Sequence, residues 1–166
     1  MHTEAEERYV SLRLAHGDIT HVVDLLNRAK TLEDASIKTA LVRYCIIEYA
    51  KPFNTSKGRF RSTFRRIDEE SIFPGGNSDH KALITERDQR IAHGDITAYN
   101  PQLHYWSQQD IFPIVFKGSK LYDNMDKLIE TILDLCDIIL SYLVLQMESL
   151  EALFREQIKE NDPPRK

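Results

Sequence analysis

The chain has 166 residues, of which 42% are hydrophobic and 29% are charged, and its formal net charge is −4. This length and composition predict a single globular domain and exclude an extensively disordered protein. The acidic balance argues against a dedicated binder of duplex DNA, because such proteins usually have a basic domain. A local basic groove remains compatible with these totals.

The sequence carries no pattern typical of export or of membrane insertion. The N-terminus is acidic and lacks the apolar core of a signal peptide. The most apolar stretch, residues 138–147, is too short to span a bilayer. Cys45 and Cys136 lie in apolar helical runs, which predicts buried, reduced thiols and no zinc site. We therefore expect a cytoplasmic protein with no membrane contact, metal or cofactor.

The first predicted helices lie in the N-terminal quarter of the chain. Asp18 precedes apolar residues at helical spacing, and a shorter helix from about Glu4 to Ala15 is predicted before it. Gly17 is expected to break or kink the chain between the two helices.

The next helix has a start and a stop signal. Thr31 and Asp34 have the spacing of a capping box, and apolar residues recur at helical spacing after them. Pro52 is expected to stop this helix, because proline lacks an amide hydrogen and restrains the preceding residue.

The segment 53–77 is irregular and ends in Pro-Gly-Gly-Asn, which predicts a turn. Ser78 or Asp79 is expected to cap a helix that continues through Ile91. Gly94 fits the position after its last turn, where glycine is favoured.

Residues 95–119 predict a loop or short extended pieces, because Pro101 and Pro113 interrupt any helix. Ser119 opens the longest pattern of the chain, with apolar residues spaced by three and four through Phe154. This pattern predicts one long helix or two nearly collinear helices.

These elements predict an all-α protein, an up-and-down bundle of four to five helices with an irregular insert. The domain is expected to comprise residues 1–159, and the polar residues 160–166 are expected to form a disordered tail. The apolar length of the last helix exceeds what a small bundle needs, which favours a dimer.

Arg87, Asp88 and His93 are the residues in this sequence that most favour a specific chemistry. Arginine binds phosphate with a rigid fork of donors, and histidine transfers protons near neutral pH. On an ideal helix, residues six apart lie about 120° apart around the axis and about 9 Å along it. A joint site therefore needs either a distorted last turn or two copies of the motif meeting across a dimer axis.

The run Arg-Asp-x-x-Ile-Ala-His-Gly at residues 87–94 resembles the motif of the HEPN superfamily, in which an arginine and a polar residue precede a histidine. The resemblance covers mainly residues 78–95. It implies a helical bundle that dimerises so that two motifs face each other. Active members are metal-independent RNases, often toxins paired with a protein antitoxin or parts of phage-defence systems. On this resemblance Arg87 binds the scissile phosphate, His93 transfers protons and Asp88 supports the pair.

One position departs from the superfamily pattern. Some of its toxins carry a tyrosine two residues after the histidine, which a partner nucleotidyltransferase modifies; here that residue is Asp95, and the next tyrosine is Tyr99. Some members are also non-catalytic. The alternative interpretation is therefore a non-catalytic helical dimer that binds RNA, a nucleotide or a protein partner.

A second feature favours RNA. Residues 51–66, here called the basic segment, contain six Lys and Arg residues and no acidic residue, with phenylalanines between them. Cations that neutralise phosphates beside rings that stack on bases are typical of a single-stranded RNA groove. The alternative is an exposed basic loop whose phenylalanines reach into the core. The residues predicted to bind RNA are Lys57, Arg59, Arg61, Arg65 and Arg66.

Two further patterns allow a functional and a structural interpretation. His80 either supports the Arg87 site or is a half-buried helix residue, and we favour the second. Five acidic residues along the last helix favour a solvated face over a metal site, because the Glu-x-x-His pairs of di-metal bundles are missing. They are Asp123, Asp126, Glu130, Asp134 and Asp137.

Overall fold

The computed structural model describes residues 3–56, 64–65, 67–92, 102–103, 114–115 and 120–161. This part of the chain contains five α-helices that pack against one another, which confirms the predicted all-α bundle. The helices are α1 (Glu4–Lys30), α2 (Ala35–Ala50), α3 (Glu69–Ile72), α4 (Ser78–Glu86) and α5 (Met125–Asn161). Two short 3-10 turns, at Lys51–Phe53 and Lys120–Tyr122, and two pairs of two-residue strands lie between them.

The strand pairs are small and antiparallel. In the first pair, β1 (Thr55–Ser56) lies against β2 (Phe64–Arg65). In the second, β3 (Gln102–Leu103) lies against β4 (Ile114–Val115), within the region predicted to hold short extended pieces. The remainder of the predicted loop 95–119 lies outside the described residues.

Helix α1 is one continuous helix, so the predicted break at Gly17 is wrong. Its buried residues recur at helical spacing on both sides of Gly17, and α1 packs along both α5 and α2. A single interior glycine destabilises a helix by only about 1 kcal/mol, which this packing exceeds. At its start, Thr3 and Glu6 form a reciprocal capping box.

Helix α2 is capped by Asp34 alone, and the predicted capping box with Thr31 is wrong. The Asp34 carboxylate accepts hydrogen bonds from the amides of Ser36 at 2.8 Å and Ile37 at 3.1 Å. These amide bonds lower the pKa of Asp34. Thr31 instead ends α1, where its hydroxyl donates to the carbonyl of Arg28 at 2.8 Å.

The predicted stop before Pro52 is confirmed, since α2 ends at Ala50 and Pro52 lies in the 3-10 turn after it. The predicted turn before α4 is also confirmed. Gly75 and Gly76 both have positive φ values, 78° and 85°, which glycine adopts without steric strain. The cap of α4 is Asn77, however, and not Ser78 or Asp79.

The main contact of the core runs between α1 and α5, with α2 packed on α1. Leu26, Ile46, Ile132 and Ile139 are among the fully buried side chains that fill it. Cys45 and Cys136 are both buried and free, as predicted. Burial raises the pKa of each thiol to about 12.

Helix α5 is a single helix of 37 residues, in agreement with the first of the two sequence interpretations. Its backbone continues to Asn161, two residues into the predicted tail; residues 162–166 lie outside the described part of the chain. The five acidic side chains along this helix and just before it are all exposed, and Asp126 pairs with Lys38 at 2.6 Å. The solvated-face interpretation is therefore confirmed.

Neither a membrane span nor a metal cluster is found among the described residues. No described helix is long and apolar enough to cross a bilayer. Within the same part of the chain, no group of three or more His, Cys, Asp or Glu side chains is arranged to hold a metal ion.

Candidate active site

The predicted motif lies on an irregular piece of helix. Directly after α4, residues Arg87–Ala92 are wound as a π-helix, a winding defined by bonds from an amide to the carbonyl five residues back. The amide of Arg87 itself still donates to the carbonyls of Leu83 and Ile84. The angular argument for a regular helix therefore does not apply to the residues after Arg87. Short π-helical segments occur frequently at functional sites, because the extra residue in the turn redirects the side chains around it.

Arg87 is held by two oxygen atoms from different parts of the chain. Its Nη1 donates to Oδ1 of the adjacent Asp88 and to Oδ1 of Asn54, at 3.3 Å. The side chains of Arg87 and Asp88 are 26% and 46% exposed. Within the described part of the chain, both hydrogen bonds of Arg87 leave from Nη1. The guanidinium is thus fixed in direction and still accessible to a ligand.

Asn54 belongs to the site although no pattern in the sequence marks it, and backbone hydrogen bonds on both sides hold it in place. It directly follows the 3-10 turn Lys51–Phe53, and its amide donates to the carbonyl of Lys51 at 3.2 Å. On the far side of the strand pair, the amide of Ile67 donates to the carbonyl of Pro52 at 3.1 Å. These backbone bonds hold the Asn54 side chain against Arg87.

Asn54 itself belongs to the basic segment. Strand β1 starts at Thr55, one residue after Asn54, and pairs with β2 so that Thr55 lies opposite Arg65. The backbone of the basic segment at Arg65 therefore lies beside Thr55, the residue after the one that contacts Arg87. Lys57, Arg59, Arg61 and Arg66 lie outside the described residues, and for Arg65 only the backbone is described.

Phe53 provides one test of the alternative interpretation of the basic segment. This side chain is buried and packs against the rings of Tyr49 and His80. For Phe53, therefore, the interpretation as a core residue is correct, and it is not available to stack on a base. The side chains of Phe60 and Phe64 are not among those described.

His80 is only 3% exposed, so it is a fully buried residue and not a half-buried one. Its ring packs between Phe53 and Phe73, with centroid distances of 4.6 and 4.7 Å. Its Nδ1 lies 2.8 Å from the hydroxyl of Tyr49, and its Nε2 lies 3.5 Å from a carboxylate oxygen of Glu69. These five residues, here called the His80 cage, join α2, α3 and α4.

The electrostatics of the cage favour a neutral imidazole. Burial lowers the pKa of His80 below its usual 6.5, and the Glu69 carboxylate opposes that change. The geometry suits a proton on Nε2, facing Glu69, with the Tyr49 hydroxyl donating to Nδ1. Burial also raises the pKa of Tyr49, so its hydroxyl keeps its proton.

A second polar cluster lies at the junction of α4 and the π-helical turn. Glu86 is buried, and its carboxylate lies 3.7 Å from Nε of Arg90. Burial first, and then the charge of Glu86, raise the pKa of Tyr122 to about 12, while Arg43 opposes the shift. Arg43 also lies over the Tyr122 ring, 5.5 Å from its centroid. The Glu86–Arg90 spacing of four residues is the sequence signal that could have revealed this pair.

The structure thus places Arg87 and Asp88 together, as the sequence predicted, and adds Asn54 to them. His93, the third predicted residue, lies outside the described residues, as does Gly94. Comparison with protein-family models, curated proteins and solved structures finds no match to this chain. The function is therefore inferred from the residues of the site.

Proposed function

We propose that the protein is a metal-independent endoribonuclease of HEPN type, acting as a homodimer in a toxin or phage-defence role, with a protein antitoxin as its partner in the first case. The observation that supports this most directly is the Arg87 site. A partly exposed guanidinium on a π-helical turn is held by the adjacent Asp88 and by Asn54, a residue of the basic segment.

In the proposed reaction, Arg87 binds the scissile phosphate of RNA through charge-assisted hydrogen bonds. A neutral imidazole removes the proton of the 2′-hydroxyl, and the O2′–P bond forms while the P–O5′ bond breaks. A protonated imidazole gives its proton to the leaving 5′-oxygen. The two roles are assigned to His93 and to the partner subunit's His93. The products are a 2′,3′-cyclic phosphate and a 5′-hydroxyl, and DNA is spared because it has no 2′-hydroxyl.

Asp88 and Asn54 act on the geometry of this step. Both accept hydrogen bonds from the same nitrogen of Arg87, so they fix the plane of the guanidinium before RNA arrives. Asp88 also offsets part of the arginine charge, which limits the binding of ground-state anions. A fixed donor fork contributes more to the transition state than a mobile one, because no reorganisation is needed when charge develops on the phosphate.

The proposed dimer has support in α5. Ile138 and Leu145, seven residues apart on one stripe of this helix, are 45% and 64% exposed. The 37 residues of α5 extend roughly 55 Å, whereas the 27 residues of α1 extend roughly 40 Å. Ile138 and Leu145 are therefore exposed apolar side chains on α5 that a second copy of the chain would cover.

The test of the function uses purified protein and end-labelled RNA in the presence of EDTA. We expect cleavage that leaves cyclic-phosphate ends, reduced at least about 100-fold in both Arg87→Ala and His93→Ala, the usual range for loss of acid–base or phosphate-binding groups. The control is Arg13→Ala, which removes an exposed arginine from α1 and should cleave normally. Sedimentation of the same proteins measures the oligomeric state, and full activity in a monomer would contradict the dimer.

One observation favours a second candidate, a non-catalytic helical dimer that binds RNA, a nucleotide or a protein partner. Arg87 already has two protein acceptors, which is also what an arginine with a purely structural role would have. The same experiment separates the two candidates. If the wild-type protein and both variants are equally inert, and Arg87→Ala lowers the melting temperature, Arg87 is structural and the catalytic proposal fails.

A further inference from the structure

We propose that a cleft on α4, separate from the Arg87 site, binds the phosphodiester backbone of single-stranded RNA. The cleft has a volume of about 440 Å³ and lies between α4, the π-helical turn and the turn Lys120–Tyr122. Lys81, Arg90 and Lys120 line it, so we call it the cationic cleft. The inference rests on the proposed function only for its choice of RNA as the ligand.

The lining of the cationic cleft suits phosphate oxygens. Among the described residues that line it, three cations face one carboxylate, Glu86, which is already paired with Arg90. Hydroxyl and amide groups complete the wall and can donate further hydrogen bonds to phosphate or ribose. These are Ser78, Thr85 and Gln89. In a chain with a net charge of −4, a cleft whose described lining carries an excess of two positive charges attracts anions locally.

The length of the cleft favours a chain over a single phosphate. Lys81 and Arg90 are nine residues apart, which corresponds to roughly 13 Å along the helix. A stacked strand has one phosphate about every 3.4 Å, so three or four phosphates can lie along this distance. Lys81, Thr85 and Gln89 all line the cleft along this distance.

The position of the cleft separates it from the Arg87 site. Lys81 and Arg87 are six residues apart, so on a helix they lie about 120° from each other around the axis. Arg87 faces Asn54, on the side of α4 that packs near α2, whereas Lys81 faces the turn Lys120–Tyr122. A strand in the cationic cleft is therefore bound outside the catalytic centre and anchors RNA to the enzyme.

A neighbouring cleft provides an internal comparison. It has a volume of about 230 Å³ and is lined by Lys120 and Lys127, but also by Asp79 and Asp123. We call it the balanced cleft, because its two cations and two carboxylates cancel. The two clefts share Lys120, whereas Lys81 lines only the cationic cleft and Lys127 only the balanced one.

The test measures binding of a fluorescently labelled 2′-O-methyl oligoribonucleotide, which cannot be cleaved because its 2′-oxygens carry no proton. Lys81→Gln removes one charge from the cationic cleft, and Lys127→Gln removes one from the balanced cleft. We expect Lys81→Gln to weaken binding at least about fivefold and to reduce the slope of log affinity against log salt by about 0.7, the contribution of one phosphate contact. Lys127→Gln should leave both unchanged, and Lys81→Arg should restore them.

Equal effects of Lys81→Gln and Lys127→Gln, or no effect of either, would overturn the proposal. Equal competition by an acidic polypeptide such as poly-glutamate would also overturn it, since the ligand would then not be a nucleic acid. The result is independent of catalysis. If Lys81→Gln loses binding and the wild-type protein does not cleave RNA, the cleft is supported and the nuclease is contradicted. If the wild-type protein cleaves RNA and Lys81→Gln binds normally, the nuclease is supported and the cleft is contradicted.

Discussion

The two halves of the helical run from Ser78 to Ala92 differ sharply in how they are held. The first half is capped by Asn77, whose side chain accepts from the amides of Asp79 and His80 at 2.9 and 3.0 Å, and it buries His80 among aromatic rings. The second half is π-wound, and its polar residues Arg87 and Asp88 are partly exposed.

This difference shows how one helix serves two purposes. The His80 cage fixes the start of α4 against α2 and α3, so that its position depends little on the winding of the second half. The second half can then adopt a winding that is rare in proteins, because the contacts that anchor the helix lie elsewhere. Substitution of His80 in the first half should therefore change stability, and substitution of Arg87 or Asp88 in the second half should change activity.

The largest effect is expected for His80→Ala. It removes a buried ring that packs against Phe53 and Phe73 and leaves the Tyr49 hydroxyl without its acceptor. We expect a loss of about 3 kcal/mol in the free energy of unfolding. In a protein of this size, that lowers the melting temperature by about 6–12 °C, as measured by calorimetry or circular dichroism.

His80→Phe is the matched control for packing. It keeps a ring in the cage and removes only the polar contacts, so about half of the destabilisation should remain. If His80→Ala melts within a degree or two of the wild-type protein, the cage does not anchor α4, and the contrast between the two halves is wrong.

For Asn54→Ala we expect a smaller effect, and one on activity more than on stability. The substitution removes one of the two acceptors that orient Arg87, while Asp88 keeps the other. Cleavage of RNA should fall roughly tenfold, equivalent to about 1.4 kcal/mol, with a change in melting temperature of only a few degrees. Asn54→Asp keeps an acceptor and should retain most of the activity. Large destabilisation with an unchanged cleavage rate per folded molecule would show that Asn54 is only structural.

The smallest effect concerns pH. Because burial lowers the pKa of His80 below 6.5, the unfolded chain takes up a proton on this residue before the folded protein does as pH falls. The stability that neutral His80 contributes is therefore complete above pH 6.5. It is lost as the pH falls from 6.5 towards the lowered pKa.

Melting temperatures between pH 7.5 and 5 measure this loss, as the difference between the wild-type protein and His80→Phe. The decrease on acidification should be smaller in His80→Phe, which has no group to titrate there. Glu69→Gln should have the opposite effect. Without the carboxylate, the pKa of His80 falls further, and the loss of stability extends to lower pH. Identical pH profiles in all three proteins would contradict the proposed neutral imidazole.

Much of the fold could be predicted because its signals are local. The spacing of apolar residues located α2 and α5, and Pro52 and the two glycines at 75–76 marked where the chain turns. The prediction at Gly17 failed because packing on both sides of the glycine, which depends on α2 and α5, outweighs its local preference. Caps were assigned one or a few residues away from Asp34 and Asn77, since several side chains nearby could accept the same amides.

The candidate active site could be predicted only in part. Arg87 and Asp88 are adjacent in sequence, so their pairing needed no knowledge of the fold. Asn54 lies 33 residues from Arg87, and no sequence pattern links the two. The π-helical winding was also beyond prediction, because a single extra residue per turn leaves almost no trace in the apolar spacing. The full burial of His80 could not be predicted either, because its partners come from three separate segments.

The two buried cysteines allow the opening of the core to be measured by chemical labelling. Cys45 and Cys136 are fully buried in the middle of the bundle, and a thiol with a pKa of about 12 has almost no reactive thiolate at neutral pH. Alkylating reagents can therefore modify them only when the packing around α2 and α5 opens. The rate of labelling under native conditions reports how often the core opens, and no cysteine has to be introduced.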